Sequence, residues 1–393
     1  MGVSEHKQMD LAWDAVSLTQ AFVRIPSLSG QEQAMADFVQ QVMRDLGFDQ
    51  ISVDEKGSVL GFVGPAQAPL ALLFDAHMDV VPIAGTWTVE PFGAEIKDGR
   101  MYGRGTSDMK AGLAAALCGA AAAARSGALK QRIAVSASVM EEVIEGYALS
   151  HALELCTPAA VVICEPSRLR IMVGQKGRQE ILLRLQGRPA HAALPHLGVN
   201  PIQAAAKAIS VLQTLDLPKD AQVGQALLVP TDIISDPHPS ISLIPSSVTV
   251  RFDRRTLVGE SSESVLKQME QCLQAAGVEG FSLELVDSQV QTYTGQQASP
   301  GRDLPAWRLD ESAPLAQAMV QAVQQAGRVV EMDTWWFCTN GSESAGRRGI
   351  PTIGLGPGEE AQAHTADESV AIDDVLGAKD IYEQLCIQLA GQA

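Results

Sequence analysis

Apolar positions recur along the first half of the chain in two rhythms. Met35, Phe38, Val39, Val42, Met43 and Leu46 follow helical spacing and stop at Gly47. The preceding Ser29-Gly30-Gln31-Glu32 matches a capping box, so a helix capped by Ser29 is expected. Three later runs are mainly apolar: Leu70 to Phe74, Ile133 to Met140, with Ser136 and Ser138 its polar positions, and Ala159 to Cys164. Short continuous apolar runs are the pattern of strands buried on both faces of a mainly parallel sheet. Helical segments separate them, including the alanine-rich stretch Ala111 to Ala124, which is too short to span a bilayer and reads as a buried helix. This alternation predicts an α/β domain.

From about Gln179 the rhythm changes. Strand-like Gln179–Gln186, helical Pro201–Leu215, strands Ala226–Ser235 and Ser246–Asp253, helical Ser262–Ala276 and strand Phe281–Val286 follow one another. The order β-α-β-β-α-β is that of a ferredoxin-like α+β unit. The expected organisation is therefore a catalytic α/β domain over residues 1–178 and 291–393, with a lid or dimerisation domain over 179–290 inserted into it. The last part is read as a helix Pro314–Ala326, a strand Thr352–Leu355 and a helix Ile372–Leu389. A length of 393 residues suits two cores better than one.

Composition narrows the possible partners. With 46% hydrophobic and 19% charged residues the chain is globular. It carries 29 basic against 46 acidic residues, for a net charge of −17, and no stretch concentrates Lys and Arg, which excludes nucleic acid and anionic membranes as expected partners. Met1 to Asp10 is polar and has no signal-peptide core, and the six cysteines are scattered without a C-x-x-C pair. A cytoplasmic protein without disulfides or a thiolate zinc site is expected.

Candidate chemistry lies at the ends of the apolar runs, where ligands bind in open α/β sheets. After Leu70–Phe74 come Asp75, His77 and Asp79, the last two spaced to share a face in extended chain. Glu141 and Glu142 follow Ile133–Met140, Glu165 follows Ala159–Cys164, Asp108 precedes the alanine-rich helix, and His364 follows the Gly356-Pro357-Gly358 turn. Taken alone, a His-x-Asp is more often a surface turn and a glutamate pair a solvated helix face. Ionised groups at the ends of three buried strands are costly unless paired or metal-bound. Two imidazoles with several carboxylates form the mixed donor set that suits a pair of zinc ions.

Together these segments resemble the zinc aminoacylase, acetylornithine deacetylase and succinyl-diaminopimelate desuccinylase family of metallopeptidases. The likeness rests on Ile25-Pro26-Ser27, Asp75-Ala76-His77-Met78-Asp79-Val80-Val81-Pro82 and Gly103-Arg104-Gly105-Thr106-Ser107-Asp108-Met109-Lys110. Glu141-Glu142, Cys164-Glu165-Pro166-Ser167 and His364-Thr365-Ala366-Asp367-Glu368 complete it, so nearly the whole chain is covered. The segment from Trp335 to Ser342 is most similar to the subgroup of selenium-metabolism-linked hydrolases, although the tryptophans also suit plain core. The resemblance implies two divalent metal ions, zinc with cobalt or manganese as alternatives. Asp108 would bridge them, His77 and Glu165 would hold one, and Glu142 and His364 the other. Glu141 would be the general base, and Asp79 would fix the His77 tautomer. It implies a homodimer in which His191 stabilises the oxyanion in the partner's site, and substrate contacts from Asn200, Arg255, Gly341 and Ser342. For Arg255 a surface salt bridge is an equally good reading, and His6, His151, His196 and His238 read as solvated loop histidines.

The expected activity is hydrolysis of the amide bond in a small N-acyl amino acid, of deacetylase or desuccinylase type. A dipeptidase or carboxypeptidase with the same metals is the alternative. A non-catalytic binding protein on the same fold would show a broken ligand set, and here every motif position is filled.

Overall fold

The computed structural model describes residues 13–391, so His6 and the polar Met1–Asp10 segment lie outside the described residues. The three apolar runs are adjacent strands of one sheet, Leu70–His77, Arg132–Ser138 and Ala160–Ile163. Leu70–His77 pairs in parallel with both others, and Thr352–Gly354 adds a fourth parallel strand beyond Ala160–Ile163. Successive side chains point to opposite faces. Leu72, Phe74, Ile133, Val135 and Val162 enter one core, whereas Leu73, Ala134 and Val161 enter another. The first core is filled from helices Ala15–Val23, Gln33–Leu46, Ala111–Arg125, Pro314–Gln325 and Ile372–Ala390. The second packs helix Tyr147–Leu155 with Trp307 and Trp335. Cover on both faces is why these strands are buried on both sides, Ser136 and Ser138 included, and each buried Leu, Val or Phe contributes about 1.5–3 kcal/mol.

The helix at Gln33–Leu46 ends as expected at Gly47, whose φ of 86° suits glycine. Its start corrects the capping-box expectation. Glu32 is the N-cap residue and no side chain caps the helix. Ser29 Oγ donates instead to Asp79 Oδ2 at 2.6 Å, and Glu32 Oε1 accepts from the Met140 amide at 3.2 Å. Buried carboxylates and amides claim these side chains because an unpaired polar group there costs more than an open helix end. The pattern also gave no sign of the hairpin Asp49–Val53 and Val59–Val63 at one sheet edge or of Ile171–Gln175 and Met332–Trp335 at the other.

The second unit has the ferredoxin-like order. Strand Gly177–Gln186 lies between Ser247–Thr256 and Phe281–Leu285, and Leu227–Asp236 forms the outer edge, all antiparallel. Ile181, Leu183 and Leu185 alternate into its core with Val248, Val250 and Phe252. Helices Pro201–Leu212 and Ser262–Ala275 close that core with Ala205, Ala208 and Leu212, and with Val265, Met269 and Leu273. The edge strand leaves Leu227, Val229, Ile233 and Ile234 exposed. Among the described residues no helix is long and apolar enough to cross a membrane, and all six cysteines are free.

Candidate metal centre

The parallel strands deliver their C-terminal residues to one cavity. His77 ends Leu70–His77, Glu141 and Glu142 lie in the turn after Arg132–Ser138, and Glu165 follows Ala160–Ile163. Asp108 comes from the Thr106–Lys110 turn that leads into the alanine-rich helix, and His364 from a loop near the C-terminus. Asp108 stands between the imidazoles, with Oδ1 3.0 Å from His77 Nε2 and Oδ2 3.4 Å from His364 Nε2. Glu165 lies 3.6 Å from His77 Nε2, and Glu142 lies 2.8 Å from His364 Nε2. Two triads of donor atoms result, His77 with Asp108 and Glu165, and Asp108 with Glu142 and His364. Glu141 belongs to neither and sits 3.9 Å from His77 Nε2.

The residues fit a pair of cations. Glu142 Oε1 is buried without a hydrogen-bond partner, an arrangement that protein donors leave unsatisfied and a cation would complete. Charge points the same way. Burial, Asp108 and Glu142 hold the Glu165 carboxyl well above its usual range, and burial with Glu165 does the same to Glu141. Burial would lower His77, yet Glu165, Asp108 and Glu141 raise it well above 6.5, while hydrogen bonds to Asp108 and Glu142 push His364 to about 10. His77 Nδ1 lies 2.9 Å from the Asp79 main-chain oxygen and 3.7 Å from its carboxylate. A carbonyl only accepts, so Nδ1 carries a proton, and Nε2, which here faces the Asp108 carboxylate, is the nitrogen that would give up its proton to bind a metal. The Asp79 carboxylate instead accepts from the amides of Glu141 and Glu142, at 3.2 Å each, and so fixes the turn that carries both.

Protons stand in where cations would sit, and this sets a pH dependence. Burial and Asp108 raise Glu142 to about 7, burial and Asp79 raise Glu32 to about 7, and burial raises Asp75 to about 6. Between pH 5 and 7 the metal-free folded state keeps protons that the unfolded chain has released, so its stability falls as pH rises. Chelator-treated protein is expected to melt at a lower temperature at pH 7 than at pH 5, with saturating zinc shrinking the difference. Thermal unfolding at both pH values checks this, and a higher melting temperature at pH 7 without metal contradicts it.

The cavity, about 260 Å³, is lined by Asp108, Glu141, Glu142, Glu165 and His364 together with residues not anticipated from the sequence. Glu145, Arg178, Trp336, Phe337, Cys338 and Glu360 join them, as does the anticipated Arg255. Arg178 and Arg255 face each other across neighbouring strands of the inserted unit. Like charges so placed repel. Asp253 offsets them, accepting from Arg255 Nε at 2.7 Å and lying 3.4 Å from Arg178 Nε, and Glu145 accepts from Arg178 at 3.1 Å. Beneath the cavity Asn340 donates to Asp75 at 2.7 Å and accepts from the Gly146 amide at 2.5 Å, joining the glutamate turn to the central strand. Trp335 is core, with its indole N–H on Pro166 O, whereas Trp336 is exposed.

The remaining candidates do not line this cavity. His191 is exposed in the short strand Ala190–His191, and its Nδ1 accepts from the Ala193 amide at 3.0 Å. Asn200 caps helix Pro201–Leu212 through the Ile202 amide. Gly341 packs against Trp307, and Ser342 is buried. His196 and His238 are exposed as expected, but His151 lies on helix Tyr147–Leu155, 3.1 Å from Glu154, and not in a loop.

Comparison with known proteins agrees with this geometry. Over 370 residues, 92% of this chain and 91% of the other, it is 30% identical to the uncharacterized protein YgeY of Escherichia coli K12. It is also 30% identical over 403 residues, 95% of this chain and 96% of the other, to a succinyl-diaminopimelate desuccinylase of Rhodospirillum centenum. The fold superimposes with a TM-score of 0.73 on the crystal structure of the Bacillus subtilis YXEP protein, a dinuclear metal-binding peptidase, at 15% identity over 96% of this chain and 97% of that one. The sequence profile of peptidase family M20/M25/M40 matches residues 73–388. With the family profile spanning most of the chain and the donor residues gathered at one sheet end, the chain belongs to peptidase family M20/M25/M40 and is a metal-dependent amidohydrolase.

Proposed function

We propose that this protein is a cytoplasmic, homodimeric two-zinc hydrolase that cleaves the amide bond of a small N-acyl amino acid, of deacetylase or desuccinylase type. The observation that carries the reading is Asp108, shared by two donor triads, with the carboxylate of Glu141 lying 3.9 Å from His77 Nε2 and outside both. His77 and Glu165 would hold one cation and Glu142 and His364 the other, with cobalt or manganese as possible replacements. Such cations lower the pKa of water and polarise a carbonyl. Glu141 takes a proton from the attacking water and hands it to the departing amine, while Asp79 holds the Glu141 amide and so the position of that base.

Substrate size and charge are read from the walls. A cavity of about 260 Å³ suits a small acyl amino acid. Arg255 lines it and can clamp a carboxylate, whereas Asn200, Gly341 and Ser342 lie outside it. The exposed apolar edge strand Leu227–Asp236 supports the homodimer, because an open edge with Ile233 and Ile234 in water invites a second copy. The zinc-loaded protein should hydrolyse N-acetyl or N-succinyl amino acids with kcat/KM at least about tenfold above that for dipeptides of the same amino acids. Faster turnover of the dipeptides overturns the acyl preference in favour of the peptidase alternative.

A further inference from the structure

The two donor triads rest on different supports. His77 and Glu165 follow strands that pair in register, Asp75 opposite Ile163, so the sheet ladder fixes their separation. His364 has no strand beneath it. It lies in the loop between Gly356 and Glu368 with a φ of 62°, and its side chain is 56% exposed. Both ends of that loop are fastened to Ser107. At one end Ser107 Oγ donates to Glu359 O at 3.0 Å and accepts from Glu359 N at 2.9 Å. Gly358, with a φ of 86°, packs on Ser107 so closely that no side chain would fit there. At the other end the buried Glu368 accepts from the amides of Ser107 at 2.8 Å and Asp108 at 3.0 Å through Oε1. Through Oε2 it accepts from the Gly105 amide at 3.0 Å and from Arg104 at 2.7 Å.

We infer that Ser107 and Glu368 are positioning residues that clamp the His364 loop onto the Asp108 segment, and so set the affinity of the loop-side cation at Asp108, Glu142 and His364. The sheet-side cation at His77, Asp108 and Glu165 does not depend on the clamp. The segment that carries Asp108 has further anchors: Thr106 Oγ1 donates to Gly103 O at 2.7 Å, the Lys110 amide donates to Gly105 O at 2.9 Å, and His77 lies against Asp108 Oδ1. Without the clamp the loop must be ordered at the moment the cation binds, and that entropy is subtracted from the affinity. The inference rests on the two-cation reading above.

Cobalt(II) added stepwise to chelator-treated protein, followed by calorimetry and visible absorption, tests it. Wild-type protein should show two binding events, and His364→Ala should lose one, which identifies the loop-side event. Ser107→Ala should weaken that same event by about 10–100-fold and leave the other within about threefold. Glu368→Gln alone strands the buried Arg104 cation and endangers folding. The double variant Arg104→Met, Glu368→Gln removes both charges, and with circular dichroism to verify its fold it should reproduce the selective loss. Wild-type affinity for both ions in the two clamp variants, or equal weakening of both events, overturns the inference. Fewer than two events in the wild-type protein would instead remove the two-cation reading, and this inference with it.

Discussion

Replacing Glu141 with Gln is expected to lower kcat by about 10²–10⁴-fold while both cations stay bound. The separation of the two effects follows from where the carboxylate stands. Glu141 is outside both donor triads, yet it lines the cavity 3.9 Å from His77 Nε2. Burial and Glu165 raise its carboxyl well above the usual range in the metal-free site. Glutamine keeps the shape and the main-chain bond to Asp79 but cannot take the proton. Turnover measured beside metal content by mass spectrometry decides the matter. Unchanged turnover removes Glu141 from proton transfer, and loss of one cation would make it a ligand.

His191→Ala should cost about 10²–10³-fold in kcat if this imidazole stabilises the oxyanion of a neighbouring subunit. In the single chain His191 is exposed, lies outside the cavity and has no carboxylate partner among its hydrogen bonds, so nothing it does within its own chain explains so large a loss. Mixing makes the test specific. A heterodimer of one His191→Ala chain and one Glu141→Gln chain assembles one site with an intact base and an intact partner histidine. Random exchange of two inactive variants should then restore activity to about one quarter of the wild-type sites. No recovery after mass spectrometry has shown subunit exchange would rule out a shared site.

How much of this could be read from the chain depended on the range of the interaction. The apolar runs around Phe74, Val135 and Val162 announced buried parallel strands, and the acids after them announced the cavity, because burial and strand ends are written in neighbouring residues. Alternation through Ile181, Leu183 and Leu185 likewise disclosed the inserted sheet. Pairings between distant residues left no such trace. Glu368 meets the Asp108 turn from about 260 positions away, and Arg178 faces the cavity only because strand register sets it opposite Arg255. Ser29 and Glu32 misled for the same reason. Their spacing is a local helix signal, and the buried carboxylate of Asp79 and the Met140 amide, both far along the chain, took the side chains that the signal reserved for the helix.

The strand Thr352–Gly354 lies between Ala160–Ile163 and Ile171–Gln175, so the main sheet is stitched from both ends of the polypeptide. On the ribosome this fixes an order of events. The inserted unit draws all the residues of its own hydrophobic core from between Ile181 and Leu285 and is free to condense as soon as it emerges. The sheet beneath the cavity stays open until Thr352–Gly354 has been translated, leaving an apolar gap between its strands while the inserted unit is made.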